Sequence, residues 1–141
     1  MIQVILGAKG SGKTKRLLDM TNDALKTESG EIVFIDNDKR YMFDLRHEIR
    51  FVDAREYRHL MGCTPRELLC FLSGMLASNY DISLVSVDAF LKIVKTDLGE
   101  EEMQDFFGSL QTLSDAHNCS FLFSISADES TAPACVRRYA V

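Results

Sequence analysis

At 141 residues the chain has enough length for one domain with a hydrophobic core. Its 46% apolar and 26% charged residues, with only two prolines, exclude a disordered or low-complexity polymer. A net charge of −5, with cations clustered only at Lys13-Thr14-Lys15-Arg16, Lys39-Arg40 and Arg137-Arg138, argues against a partner held through nucleic-acid phosphates.

Taken from the N-terminus, Ile2-Gln3-Val4-Ile5-Leu6 reads as a buried strand. The apolar run stops at Leu6, too short for a signal peptide or a membrane span, so a cytoplasmic protein is expected. Next comes Gly7-Ala8-Lys9-Gly10-Ser11-Gly12-Lys13-Thr14, which satisfies G-x-x-x-x-G-K-[ST] at every fixed position. Helical spacing of Leu17, Leu18, Thr21, Ala24 and Leu25 follows. Strand, glycine loop and helix N-terminus are the context this motif needs. The glycines let backbone N–H groups converge on one anion, and the helix dipole adds partial positive charge there. Lys13 is expected to reach the β- and γ-phosphates, and Thr14 to offer its hydroxyl to Mg²⁺.

Beyond a Ser29-Gly30 stop, Glu31–Asp36 (E-I-V-F-I-D) reads as a second buried strand. Residues 39–48 are polar and predict a loop with a short helix, and residues 49–53 a short strand. Thr64-Pro65-Arg66-Glu67 is a capping box with proline at the first helical position, opening a helix with Leu68, Leu69, Leu72, Met75 and Leu76 on one face. Ile82–Val87 is an apolar strand that ends at Asp88. A helix is expected from about Glu100 to His117, then a strand over Ser120–Ser126 and a last strand over residues 135–141. Strands alternating with helices predict one α/β domain over residues 1–141: a three-layer α/β/α sandwich with a mostly parallel sheet and ligands at the carboxyl ends of its strands.

Cys63, Cys70, Cys119 and Cys135 include no C-x-x-C pair, and reduced thiols packed as small apolar residues are expected. Cys63 precedes a helix start, where the dipole would lower a thiol pKa. His47, His59 and His117 lack ligand spacing, and His117 reads as a helix C-terminal cation beside an Asn118 stop.

An apolar strand ending in Asp88, in a chain that already has a phosphate loop, is the Walker B arrangement: a carboxylate that holds Mg²⁺ near Thr14. With these two motifs the chain resembles the RecA-like branch of P-loop ATPases, which includes the KaiC-type and hexameric-helicase cores. The resemblance spans Met1 to about Ser126 and adds F-I-D-N-D, similar to that family's strand ending in an acidic pair. It implies that Asp38, with Asp36 as the second candidate, positions the water that attacks the γ-phosphate. It also implies a polar sensor at Ser126, with Ser124 two residues earlier on the same face, and arginine fingers for a neighbour's nucleotide at Arg137 or Arg138. Tyr41 would stack on adenine. The chain departs from the pattern at Ala89, where many such ATPases carry Glu. It also lacks long DNA-binding loops after Asp88.

The function expected is therefore an ATP- and Mg²⁺-binding protein with slow ATPase activity. ATP is preferred because no N-K-x-D guanine motif occurs. The alternatives are a small nucleoside or metabolite kinase, since the layout also resembles the thymidine kinase core, and a non-catalytic nucleotide switch acting on a protein partner. A homo-oligomer is the other partner expected; nucleic acid and membrane are not.

Overall fold

The computed structural model describes residues 1–141. Five apolar strands, β1 (Ile2–Gly7), β2 (Glu31–Asp36), β3 (Arg50–Asp53), β4 (Ile82–Val87) and β5 (Ser120–Ser126), form one sheet in the order β1-β5-β4-β2-β3. Every neighbouring pair is parallel, so the sheet is wholly rather than mostly parallel. Parallel pairing demands crossovers, and helices supply most of them. The register places Gly7 beside Ser126, Ile35 beside Val87 and Asp36 beside Asp53. The carboxyl ends of all five strands consequently share one edge.

Side-chain alternation along each strand sorts the core into two bodies. On one face, Leu17 and Leu18 of α1 (Lys13–Ala24) pack with Ile5, Ile32, Phe34, Leu84 and Leu122. Leu45 and Ile49, from the loop around a 3₁₀ turn at Met42–Asp44, complete that layer. Beneath α1 the hydroxyls of Thr21 and Ser86 meet at 2.8 Å, a buried polar pair that satisfies itself.

The opposite face carries α2 (Pro65–Ser78), α3 (Phe90–Ile93), α4 (Glu100–His117) and α5 (Ala134–Arg137). Phe123 sits at its centre, fully buried, with the rings of Phe90, Phe106, Phe107 and Phe121 at centroid distances of 5.8, 6.0, 6.0 and 6.5 Å. Three of these four contacts are edge-on, the arrangement that ring quadrupoles favour. α3 was not expected from sequence; it is a single turn whose Phe90 and Ile93 are swallowed by this core.

The helix ends follow local chemistry. Thr64 Oγ1 accepts from Glu67 N at 3.1 Å, and Glu67 Oε1 accepts from Thr64 N at 3.0 Å, closing the capping box of α2. α4 stops at Asn118, whose φ of 50° is left-handed, with His117 in its last turn.

Two expectations need correction. Residues 135–141 do not form a strand: they open with α5 and touch β1 only around Val4, through Val4 N to Tyr139 O and Val141 N to Val4 O. Val136 and Tyr139 recur at helical spacing, and the Tyr139 ring stacks on Phe107 at 5.2 Å. Packing against α4 therefore outweighs the strand preference of the valines and tyrosine in the segment. The thiol of Cys63 is also raised rather than lowered, because burial costs the thiolate more than the nearby helix start returns. All four cysteines are free.

Glycine at position 30 is required by contact. A Cβ there would stand 2.2 Å from the carbonyl oxygen of Asp81, which accepts from Glu31 N, and 2.9 Å from Ser83. Gly30→Ala is expected to destabilise the fold by on the order of 1–3 kcal/mol in urea unfolding. Gly74→Ala, in an exposed helical position with nothing near its Cβ, is expected to stabilise it by about 0.5–1 kcal/mol. Equal effects at the two positions would contradict this packing.

Candidate functional site

At the carboxyl edge of the sheet lies a cavity of about 950 Å³, at the upper end of the range for small-molecule sites. The glycine loop forms one wall. Gly10 and Gly12 take φ values of 81° and 86°, which L-residues rarely adopt, and α1 begins immediately after them. A Cβ at Gly7 would meet Ser11 Oγ at 2.5 Å, so the loop returns close over its first residue, and a larger side chain there would have to displace the exposed Ser11 hydroxyl.

The start of α1 differs from that of α2. Its N-cap is Gly12, no side chain caps it, no acid lies in its first turn, and Lys13, Lys15 and Arg16 crowd there instead. The first N–H groups of a helix have no intrahelical acceptor, and cations beside them oppose the dipole. An anion bound at the loop would reverse both penalties. Lys13 Nζ meanwhile donates to Ala8 O at 2.7 Å, and burial lowers its ammonium pKa against the pull of Asp88.

Asp88, just past β4, is almost wholly buried and faces the loop. Thr14 Oγ1 donates to its Oδ2 at 3.0 Å and approaches Oδ1 at 3.3 Å. Two residues 74 positions apart are thus brought together as the sequence pattern anticipated. A hydroxyl and a carboxylate are hard oxygen donors, which fits a Mg²⁺ ion completed by phosphate oxygens and water. No cluster of three or more His, Cys, Asp or Glu side chains is arranged to hold a metal alone.

Asp36 and Asp38 diverge. Asp36, at the end of β2, is 1% exposed and lines the cavity. Its Oδ1 accepts from Asn37 N at 2.7 Å, while its Oδ2 is buried without any partner. Burial first, and then the neighbouring Asp88, push its carboxyl up to about 7. Asp38 is half-exposed, and its Oδ1 closes a turn onto Arg40 N at 2.9 Å. Both line the cavity, as does the half-buried Tyr41, which has the Arg40 guanidinium 5.9 Å from its ring centre.

Ser124 and Ser126 both reach the cavity from β5, with different roles. Ser126 is exposed, and Ser124 is buried against Asp88. Arg137 and Arg138 are exposed on and just after α5, not on a strand, and neither lines the cavity. Lys92, which sequence reasoning missed, does line it; its cue, a cation on the turn after the Asp88 strand, is too common to stand out.

The Asp36 carboxyl makes stability depend on pH. The folded protein keeps this proton up to about pH 7, whereas the unfolded chain loses it in the ordinary carboxyl range. Stability contributed by the protonated form is therefore lost as pH rises between about 4 and 7. Asp36→Asn retains the Oδ1 acceptor and removes the charge. It is expected to match the wild type near pH 4 and exceed it by on the order of 2–4 kcal/mol at pH 8, read by thermal or urea unfolding of the ligand-free protein. A difference independent of pH would refute this assignment.

The chain matches no protein-family model and no curated protein sequence, so the function of this site has to be read from its geometry.

Proposed function

We propose that this protein binds ATP with Mg²⁺ at the carboxyl edge of its sheet and hydrolyses the γ-phosphate slowly, as a RecA-like P-loop ATPase reduced to its core. One observation carries the reading: the glycine loop and the Asp88 strand, far apart in sequence, converge so that Thr14 Oγ1 lies 3.0 Å from the Asp88 carboxylate. The strand order supports it too, because β5, with its terminal Ser126, lies between the loop strand β1 and the Asp88 strand β4.

In this reading the uncapped N-terminus of α1 and the loop N–H groups bind the phosphates. Lys13 exchanges Ala8 O for phosphate oxygens and offsets negative charge developing on them. Thr14 and Asp88 hold the cation, which when bound neutralises charge on the β- and γ-phosphates. Asp36, rather than Asp38, orients the attacking water in this reading, because it lines the cavity with an Oδ2 that has no hydrogen-bond partner, while Asp38 is occupied in a turn. Ala89 leaves the position beside Asp88 without a carboxylate, consistent with slow turnover. Tyr41 supplies a stacking surface for the base.

Calorimetry with ATP and Mg²⁺, coupled to phosphate release, tests the reading. Wild type is expected to bind and turn over. Lys13→Ala should weaken binding by about two orders of magnitude or more. Asp36→Asn should keep binding and lose turnover by roughly 10²–10⁴-fold, with Asp38→Asn within a few-fold of wild type. Release that requires an added hydroxyl compound would identify a kinase, binding without turnover a switch, and no binding would refute the proposal.

A further inference from the structure

We infer that Ser124 is the positioning residue for Asp88: one hydroxyl ties β5 both to the carboxylate and to the left-handed peptide after it, and so sets which carboxylate oxygen faces Thr14. This role rests on the cation-and-nucleotide reading above.

A serine hydroxyl has one proton to donate and lone pairs to accept with. Ser124 uses both. It donates to Asp88 Oδ1 at 2.5 Å, and its oxygen accepts from Ala89 N at 2.9 Å. Thr14 takes its shorter contact to the other carboxylate oxygen, Oδ2, at 3.0 Å. The carboxylate is thus gripped from two elements that share no local sequence, β5 and the start of α1. Ser124 and Asp88 are 2% and 3% exposed, so water is a poor substitute for either bond.

Ala89 gives the second, independent reason. Its φ of 54° and ψ of 51° are left-handed, a conformation that an alanine adopts only at a cost. The N–H of this left-handed residue is donated to β5, where Ser124 Oγ accepts it. The same hydroxyl therefore stabilises a strained backbone and orients the carboxylate that precedes it. Loss of Ser124 would leave a buried Asp88 oxygen without its donor and the carboxylate free to turn about its last side-chain torsion. Ser124 is fully committed by these bonds, whereas Ser126, exposed at the strand end, is the hydroxyl free to meet a phosphate.

Two experiments test this on the full chain. In calorimetric titrations of ATP at varied Mg²⁺, Ser124→Ala is expected to raise the Mg²⁺ concentration for half-maximal binding by about tenfold or more. Its ATP affinity in EDTA should stay within about twofold of wild type, and Ser124→Thr, which keeps the hydroxyl, should restore the Mg²⁺ response. An unchanged Mg²⁺ requirement in a folded Ser124→Ala protein would overturn the inference. The second experiment needs no ligand: a thermal-unfolding cycle of Ser124→Ala and Ala89→Gly. Glycine takes the left-handed conformation without help, so Ser124→Ala should lower Tm less in the Ala89→Gly background than in wild type. Additive losses would overturn the bridge. Coupled losses in a protein that binds no nucleotide would instead overturn the ATPase reading and leave the Ser124 bridge to Asp88 and Ala89 standing.

Discussion

Parallel pairing of all five strands is the constraint on which the rest of the molecule depends. It brings every carboxyl strand end to one edge, and the order β1-β5-β4-β2-β3 decides which ends become neighbours. β1 delivers the glycine loop, β4 delivers Asp88, and β5 between them supplies the serine that reaches across. An antiparallel β5 would turn that serine to the far edge. The large core on the α2–α4 face, centred on Phe123, keeps β5 and β4 in register and fixes the Ser124–Asp88 approach from behind.

Charge at this edge is distributed by satisfaction rather than by number. Three neighbouring strands, β4, β2 and β3, carry an aspartate at or just past their carboxyl ends: Asp88, Asp36 and Asp53. Asp53 is held by Arg55 through 3.0 and 3.1 Å contacts, and that hydrogen-bonded guanidinium keeps its carboxyl below the ordinary range. Asp88 is held by Thr14 and Ser124. Asp36 alone keeps an oxygen with no donor, in a buried position beside another carboxylate. Identical side chains at neighbouring strand ends thereby acquire different surroundings: one is held by a guanidinium, one by two hydroxyls, and one keeps an unpartnered oxygen.

The two long-looking helix starts make the same point. α2 spends two side-chain hydrogen bonds on closing its own N-terminus. α1 closes nothing and surrounds its N-terminus with lysines and an arginine. In isolation that is a poor helix start, and a bound anion would supply what it lacks. Such local departures from helix-forming rules fall where a ligand can supply the missing interaction.

Much of this was legible in sequence because the signals are local. The glycine loop, the capping box of α2, the Asn118 stop and the apolar strands each depend on residues within a few positions of one another. The pairing of Thr14 with Asp88 was also anticipated, since a phosphate loop and an apolar strand ending in Asp form a recurring combination. What misled was also local: residues 135–141 carry valines and a tyrosine in a short run that reads as a strand, and Cys63 precedes a helix. Contacts from α4 and burial, both contributed by distant residues, overrule those patterns. The choice between Asp36 and Asp38 shows the limit most clearly. Two residues apart, they are the same amino acid in the same motif. Only the folded sheet buries one, beside Asp88 and without a donor for its second oxygen, and leaves the other to cap an open turn. Sequence alone determined the five strands, the three long helices, the loop and the candidate carboxylates. The tertiary structure decided their protonation, partners and access, because desolvation and hydrogen bonding are properties of the surroundings rather than of the residue.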